Sequence, residues 1–140
     1  RFRVMALTDN MPLFSALMND EGTASVYAEQ IEPFIGAGDV LILISVHGGS
    51  GAGNAGSWSQ NLLRALQVAK DKGARVLGLS GFDGGALREM ADVCITVPVD
   101  STPQVGPSIW LLNTSCATAS GRKSPTLKER ICHGTVHRQC

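Results

Sequence analysis

The sequence predicts an α/β fold, a three-layer sandwich with helices on both sides of a mostly parallel sheet of four or five strands. Two observations carry this expectation. Short aliphatic runs recur at residues 4–7, 40–46, 75–79 and 93–97, each stopped by small or polar residues, as buried parallel strands are. Between them lie stretches whose apolar residues recur at helical spacing, so strand and helix alternate as in linked βαβ units.

In order along the chain, residues 4–7 form the first expected strand. Residues 12–19 then read as a short helix with Asn10 as its cap, and residues 24–34 as a second, with Val26, Ile31, Phe34 and Ile35 at apolar positions. The second strand, 40–46, opens into the glycine-rich loop 48–56. A helix over 57–72 follows, with Leu62, Leu63, Leu66 and Ala69 on one face and Gly73 placed as a left-handed cap. The third strand gives way to the turn Gly81-Phe82-Asp83-Gly84-Gly85, a brief helix over 86–91, and a fourth strand stopped by Pro98. From Thr102 onward the pattern breaks down. Gly106-Pro107 and a run rich in Ser, Thr and Cys are poor helix formers, so residues 1–103 are expected to form the domain and 104–140 an atypical, partly irregular tail.

A chain of 140 residues with 44% hydrophobic content buries the core of one ordinary domain. Twelve Lys and Arg balance twelve Asp and Glu, which argues against nucleic acid or an anionic membrane as a partner and leaves room for a local anion site. The longest apolar run, 40–44, is far short of the roughly 20 residues of a bilayer span, and the N-terminus lacks the order of a signal peptide. A cytoplasmic location is expected on those grounds. The four cysteines, Cys94, Cys116, Cys132 and Cys140, are too unevenly spaced for a disulfide framework. Near the end, Cys132, His133, His137 and Cys140 are zinc ligands by residue type, but their spacing lacks a paired C-x-x-C half.

The segment richest in chemistry is the strand 40–46 and the loop it opens into. Ser45, His47, Gly48, Gly49, Ser50 and Gly51 stand at the carboxyl end of a strand in an open α/β sheet, where ligands bind. Glycines let backbone amides turn inward around an anion, hydroxyls add donors, and a helix N-terminus follows, so a phosphate is the natural guest. The bland alternative is a loop rich in glycine only because strand and helix pack closely. Three other motifs compete here. The run from Gly51 to Gly56 satisfies G-x-G-x-x-G, yet the next strand ends Leu79-Ser80-Gly81 with no acid for a ribose diol. A P-loop would need Lys after its last glycine, where Ser57 and Trp58 stand. His47-Gly48-Gly49 is similar to an esterase oxyanion loop, but no G-x-S-x-G elbow accompanies it.

Taken together, the motifs resemble the sugar isomerase (SIS) domain of the phosphoheptose isomerase group. They are Leu7-Thr8-Asp9, Asn19-Asp20, Gly38-Asp39-Val40 into the serine and glycine loop, Ala69-Lys70 with Gly73-Ala74, Leu79-Ser80-Gly81, Asp83-Gly84-Gly85 and Ala91-Asp92-Val93. What the resemblance implies is a flavodoxin-like or Rossmann-like SIS sheet that binds a phosphorylated sugar and assembles as a homo-oligomer, dimer or tetramer. It implies aldose–ketose isomerisation of the sedoheptulose 7-phosphate type, and it admits zinc as a cofactor. Ser45, His47, Gly48, Gly49, Ser50 and Gly51 would hold the phosphate, and Thr8 and Asp9 would reach sugar hydroxyls. The loop departs from the family form Ser-x-Ser-Gly-x-Ser, since His47 stands where serine is common. His47 is thus open to three roles: a phosphate contact, a catalytic group or a solvated bystander.

Isomerisation through an enediol needs a general base and a general acid at adjacent carbons. In the enzymes resembled, a glutamate comes from a helix before the first strand and a histidine from a helix after the fourth. Here the sequence starts at Arg1, directly before that strand, and residues 101–120 hold no His, Asp or Glu, with Gln104 the long polar side chain among them. Gln104 joins the substrate-binding candidates, and the catalytic pair is left unassigned. A changed reading frame or a divergent tail would each account for the shift in composition. Two functions are therefore expected: a phosphoheptose-type isomerase, inactive in this chain if both groups are lost, or a non-catalytic SIS module that senses a sugar phosphate or serves as an interaction platform.

Overall fold

The computed structural model describes residues 3–49 and 59–119, with side chains placed through Ile109 and at Leu111. The chain divides into two units, 1–109 and 110–140. The first unit is built on a parallel sheet of three strands in the order β1 (Val40–Ser45), β2 (Arg75–Gly81), β3 (Val93–Val97). The register pairs Leu41 with Val76, Leu43 with Gly78 and Ser45 with Ser80 across β1 and β2, and Gly78 with Cys94 and Ser80 with Thr96 across β2 and β3.

Because side chains alternate along a strand, this register sorts the sheet into two faces. One carries Leu41, Leu43 and Val76 and is buried under helices α2 (Val26–Ile31), α3 (Gln60–Asp71) and α4 (Gly85–Met90). The core there joins Ile31 of α2, Ala65, Leu66 and Ala69 of α3, and Leu87 of α4 to the strand residues. α3 lies close because its inner face is small: Ala65 and Ala69 flank Leu66, and all three are fully buried. Arg64 ties α3 to α2 through a hydrogen bond from Nη1 to Ser25 Oγ at 2.6 Å. Gly73, with φ of 78°, ends the α3 segment as its sequence position suggests.

The opposite face carries Val40, Ile42 and Ile44 of β1 and Val93 and Ile95 of β3, all exposed. It is covered at its carboxyl end, where Leu79 packs with Val105 and Ile109 of helix α5 (Thr102–Ala119), and Val46, Phe82, Val97 and Val99 surround them. None of the helices among the described residues is long and apolar enough to cross a membrane.

Three sequence expectations are corrected. Residues 4–7 form no strand: 4–6 carry no regular structure, Leu7 lies in a turn, and Val4 is 87% exposed; the aliphatic composition is that of a strand, yet a strand exists only with a ladder partner. The sheet accordingly has three strands among the described residues rather than four or five. The second helix is shorter than residues 24–34, running from Val26 to Ile31; Glu32 keeps helical geometry as its C-cap, and Pro33 has no N–H to continue the ladder. The third correction concerns Gly106 and Pro107, which do not break the chain but lie inside α5. Pro103 occupies the first turn, where a missing N–H costs nothing, and burial of Val105 and Ile109 offsets the poor intrinsic propensity that follows. α1 (Met11–Asp20) begins as expected, with Asn10 Oδ1 accepting the Leu13 amide at 3.1 Å.

Candidate functional site

Two loops meet at the carboxyl ends of β1 and β2. β1 ends on Ser45, whose buried hydroxyl accepts the amide of Gly48 at 3.1 Å. The same hydroxyl shares a hydrogen bond of 3.2 Å with Ser59 Oγ at the cap position of α3. One side chain thus ties the exit from the strand to the entry into the helix. Ser45 also opens a row of hydroxyls across the end of the sheet, since it is in register with Ser80 and Ser80 with Thr96. Ser80 is fully buried, with Thr96 Oγ1 at 3.1 Å and Cys94 Sγ at 3.4 Å from its oxygen. Among the described residues no buried side-chain nitrogen or oxygen lacks a partner.

Beyond Ser45 the chain runs along the turn that follows β2. Gly81 donates its amide to Val46 O at 2.9 Å and Leu87 donates to Gly48 O at 2.7 Å. The rings of His47 and Phe82 stack with centroids 4.3 Å apart and planes inclined by 34°. Gly48 and Gly49 take φ of 68° and 88°, and a Cβ on Gly48 would fall on the carbonyl of Gly84. A Cβ on Gly85 would stand 2.5 Å from both Gly49 O and His47 O. The two backbones meet with no room for a side chain between them.

The β2 turn is itself cross-braced. Gly84 donates to Gly81 O at 2.9 Å, Gly85 donates to Asp83 Oδ1 at 3.0 Å, and Arg88 Nη1 donates to Asp83 O at 3.1 Å. Under the first loop, the side chain of Leu63 on α3 lies against Gly49, within 3.2 Å of where its Cβ would be. The arrangement is a short glycine-lined loop, held from the sheet side by a hydroxyl, from below by an apolar side chain and from the flank by a rigid turn.

Of the residues singled out in the sequence, Ser45, His47, Gly48 and Gly49 are brought together here, while Ser50 and Gly51 lie outside the described residues. The amide of Gly48 is engaged by Ser45, so Gly48 shapes the loop. Gln104 is exposed on the first turn of α5; its neighbour Val105 packs at the same end of the sheet, beside Gly81. Thr8 and Asp9 are exposed in the turn before α1, where Asp9 donates to Ala6 O at 3.2 Å, and Leu7 attaches this turn to the core under α3. Sequence reasoning missed Ser59, Phe82, Gly84 and Gly85. Gly84-Gly85 signalled a turn, but nothing in a linear pattern says which backbone the turn will press against.

No group of three His, Cys, Asp or Glu converges among the described residues, so these residues do not form a zinc site, and Cys132, His133, His137 and Cys140 lie outside them.

Comparison with known proteins bears on the fold and the family. No family model matches the chain. The lincomycin biosynthesis protein LmbN of Streptomyces lincolnensis is 45% identical over 113 residues, covering 81% of this chain and 40% of that protein. A phosphoheptose isomerase of Geotalea daltonii is 41% identical over 101 residues, 72% of this chain and 48% of the relative. Among solved structures, a phosphoheptose isomerase from Neisseria gonorrhoeae superposes with a TM-score of 0.72 at 30% identity, covering 84% of this chain and 61% of that one. One from Francisella tularensis gives 0.68 at 28% identity, covering 76% and 53%. The chain spans about half the length of the curated relatives it matches. By sequence and by fold, the chain carries a sugar isomerase (SIS) domain like that of the phosphoheptose isomerases.

Proposed function

We propose that the chain binds a phosphorylated sugar at the carboxyl ends of β1 and β2, and that this site serves aldose–ketose isomerisation of the sedoheptulose 7-phosphate type. The observation that carries it is the loop itself: two successive left-handed glycines, braced by Ser45 and by the β2 turn, on the chain between β1 and α3. Such a loop presents backbone donors and a helix N-terminus to an anion without needing a cationic side chain. The similarity to phosphoheptose isomerases supports a seven-carbon sugar phosphate as the ligand.

In this proposal the phosphate is the handle. Held by the loop that starts at Ser45, it spends binding energy far from the reacting carbons and fixes the sugar chain in one orientation. Thr8, Asp9 and Gln104 take sugar hydroxyls. Proton transfer between adjacent carbons needs a base and an acid. His47 is the one imidazole among the described residues and stacks on Phe82 at the site, so its role here is contact and orientation. The proposal extends to a cytoplasmic protein and, as the resemblance to phosphoheptose isomerases implies, to a dimer or tetramer.

Calorimetric titration with sedoheptulose 7-phosphate, with inorganic phosphate in parallel and an isomerase assay on the same sample, tests this. Binding of the sugar phosphate about tenfold or more tighter than phosphate is expected, since the hydroxyl contacts add to the anchor. Binding of neither ligand would remove the site from this loop. Turnover would show that the chain holds the acid and base, and selective binding without turnover would assign it the binding role alone.

A further inference from the structure

The β2 turn is not among the proposed ligand contacts, yet it is built around the loop that is. Its backbone is closed by three hydrogen bonds of its own, through Gly81 O, Asp83 Oδ1 and Asp83 O. It then meets residues 46–49 by the Gly81 and Leu87 amides, by the Phe82 ring on His47, and by direct backbone contact of Gly84 and Gly85 with residues 47–49. Phe82 accepts a φ of 51° to make its part of the contact, a conformation a bulky residue rarely adopts. A turn that served only to connect β2 to α4 would need none of these cross-contacts.

We infer that the β2 turn is a template that holds the glycine loop in its binding shape, with Gly85 as the positioning residue, because a Cβ there would stand against Gly49 O and His47 O. The inference deepens the proposed function and rests on it for the ligand, though not for the loop's shape. The physical reason is geometric. A loop whose donors must converge on one anion works only if its backbone is held to within a fraction of an ångström, and glycines supply none of that rigidity themselves. The rigidity has to come from outside, and the β2 turn is the element pressed against the loop.

The test compares Gly85→Ala with Gly38→Ala in the full chain. Gly38 also has positive φ, at 94°, but a Cβ there has nothing within 4 Å, so it carries backbone strain without the loop contact. Two quantities are read: hydrogen exchange at the Gly48 and Leu87 amides, and affinity for sedoheptulose 7-phosphate. Gly85→Ala should speed exchange at both amides and weaken binding by about tenfold or more, while Gly38→Ala leaves both near the parent. Exchange at both amides that matches the parent, or affinity that Gly85→Ala leaves unchanged, overturns the inference. If the parent chain itself binds no sugar phosphate, the proposed function fails while exchange alone still decides on the template. Should Gly85→Ala not fold, Phe82→Leu removes the ring contact without placing an atom between the backbones, and the same two readings apply to it.

Discussion

Gly81→Ala is expected to destabilise the domain by about 1–3 kcal/mol, and combining it with Val105→Ala should cost less than the two changes made separately. Gly81 is the last residue of β2, and its missing side chain leaves the space into which α5 is set. A Cβ there would meet both methyl groups of Val105 and would stand 2.8 Å from Val46 O. Val105 is fully buried and, with Ile109 and Leu79, forms the cluster that keeps α5 on the sheet. The helix has little else in its favour, since Gly106 and Pro107 both lie within it. Gly81→Ala therefore forces a choice between moving the helix and distorting the strand end. Trimming Val105 makes room, so denaturant unfolding of the double variant should show a cost smaller than the sum of the two singles. Strict additivity would mean that the two residues do not share this space.

Ser45→Ala should act on the site and on stability together. Its hydroxyl accepts the Gly48 amide and pairs with Ser59, so removal leaves a buried amide without its partner, at a cost of about 1–3 kcal/mol. The loop also loses its tie to both strand and helix, and affinity for the sugar phosphate should fall by about tenfold or more. Ser80→Ala is the comparison. Ser80 is the more deeply buried member of the hydroxyl row, but its partners are Thr96 and Cys94 rather than the loop. Calorimetric titration and denaturant unfolding on both variants separate the effects: similar losses of stability, with a loss of affinity confined to Ser45→Ala.

The parts of the fold that were legible in the sequence are those whose signal is local. β1, β2 and β3 announce themselves by aliphatic runs that end in small residues, and α3 by the spacing of Leu62, Leu66 and Ala69. Residues 4–7 carry the same composition as a strand without being one, because ladder pairing is a property of two segments and composition of one. α5 fails in the other direction: Gly106 and Pro107 argue against a helix locally, and burial of Val105 and Ile109 against Leu79 decides otherwise. The site divides along the same line. Ser45 and the glycines after it stand out because an apolar strand opens straight into them. Ser59, Phe82 and Gly85 belong to the same site only through three-dimensional contact, and His47 gains its stacking partner from 35 positions further along the chain, at Phe82.

The proposed place of the sugar phosphate is at the carboxyl ends of β1 and β2. Its most direct test is amide chemical-shift mapping of the labelled chain during titration with sedoheptulose 7-phosphate. The amides of Gly48, Gly49, Ser59 and Gly85 should shift on saturation while those of Val40, Arg75 and Val93, at the opposite ends of the strands, stay in place. Shifts confined to the opposite ends, or no shifts at Gly48 and Gly49 on saturation, would contradict it.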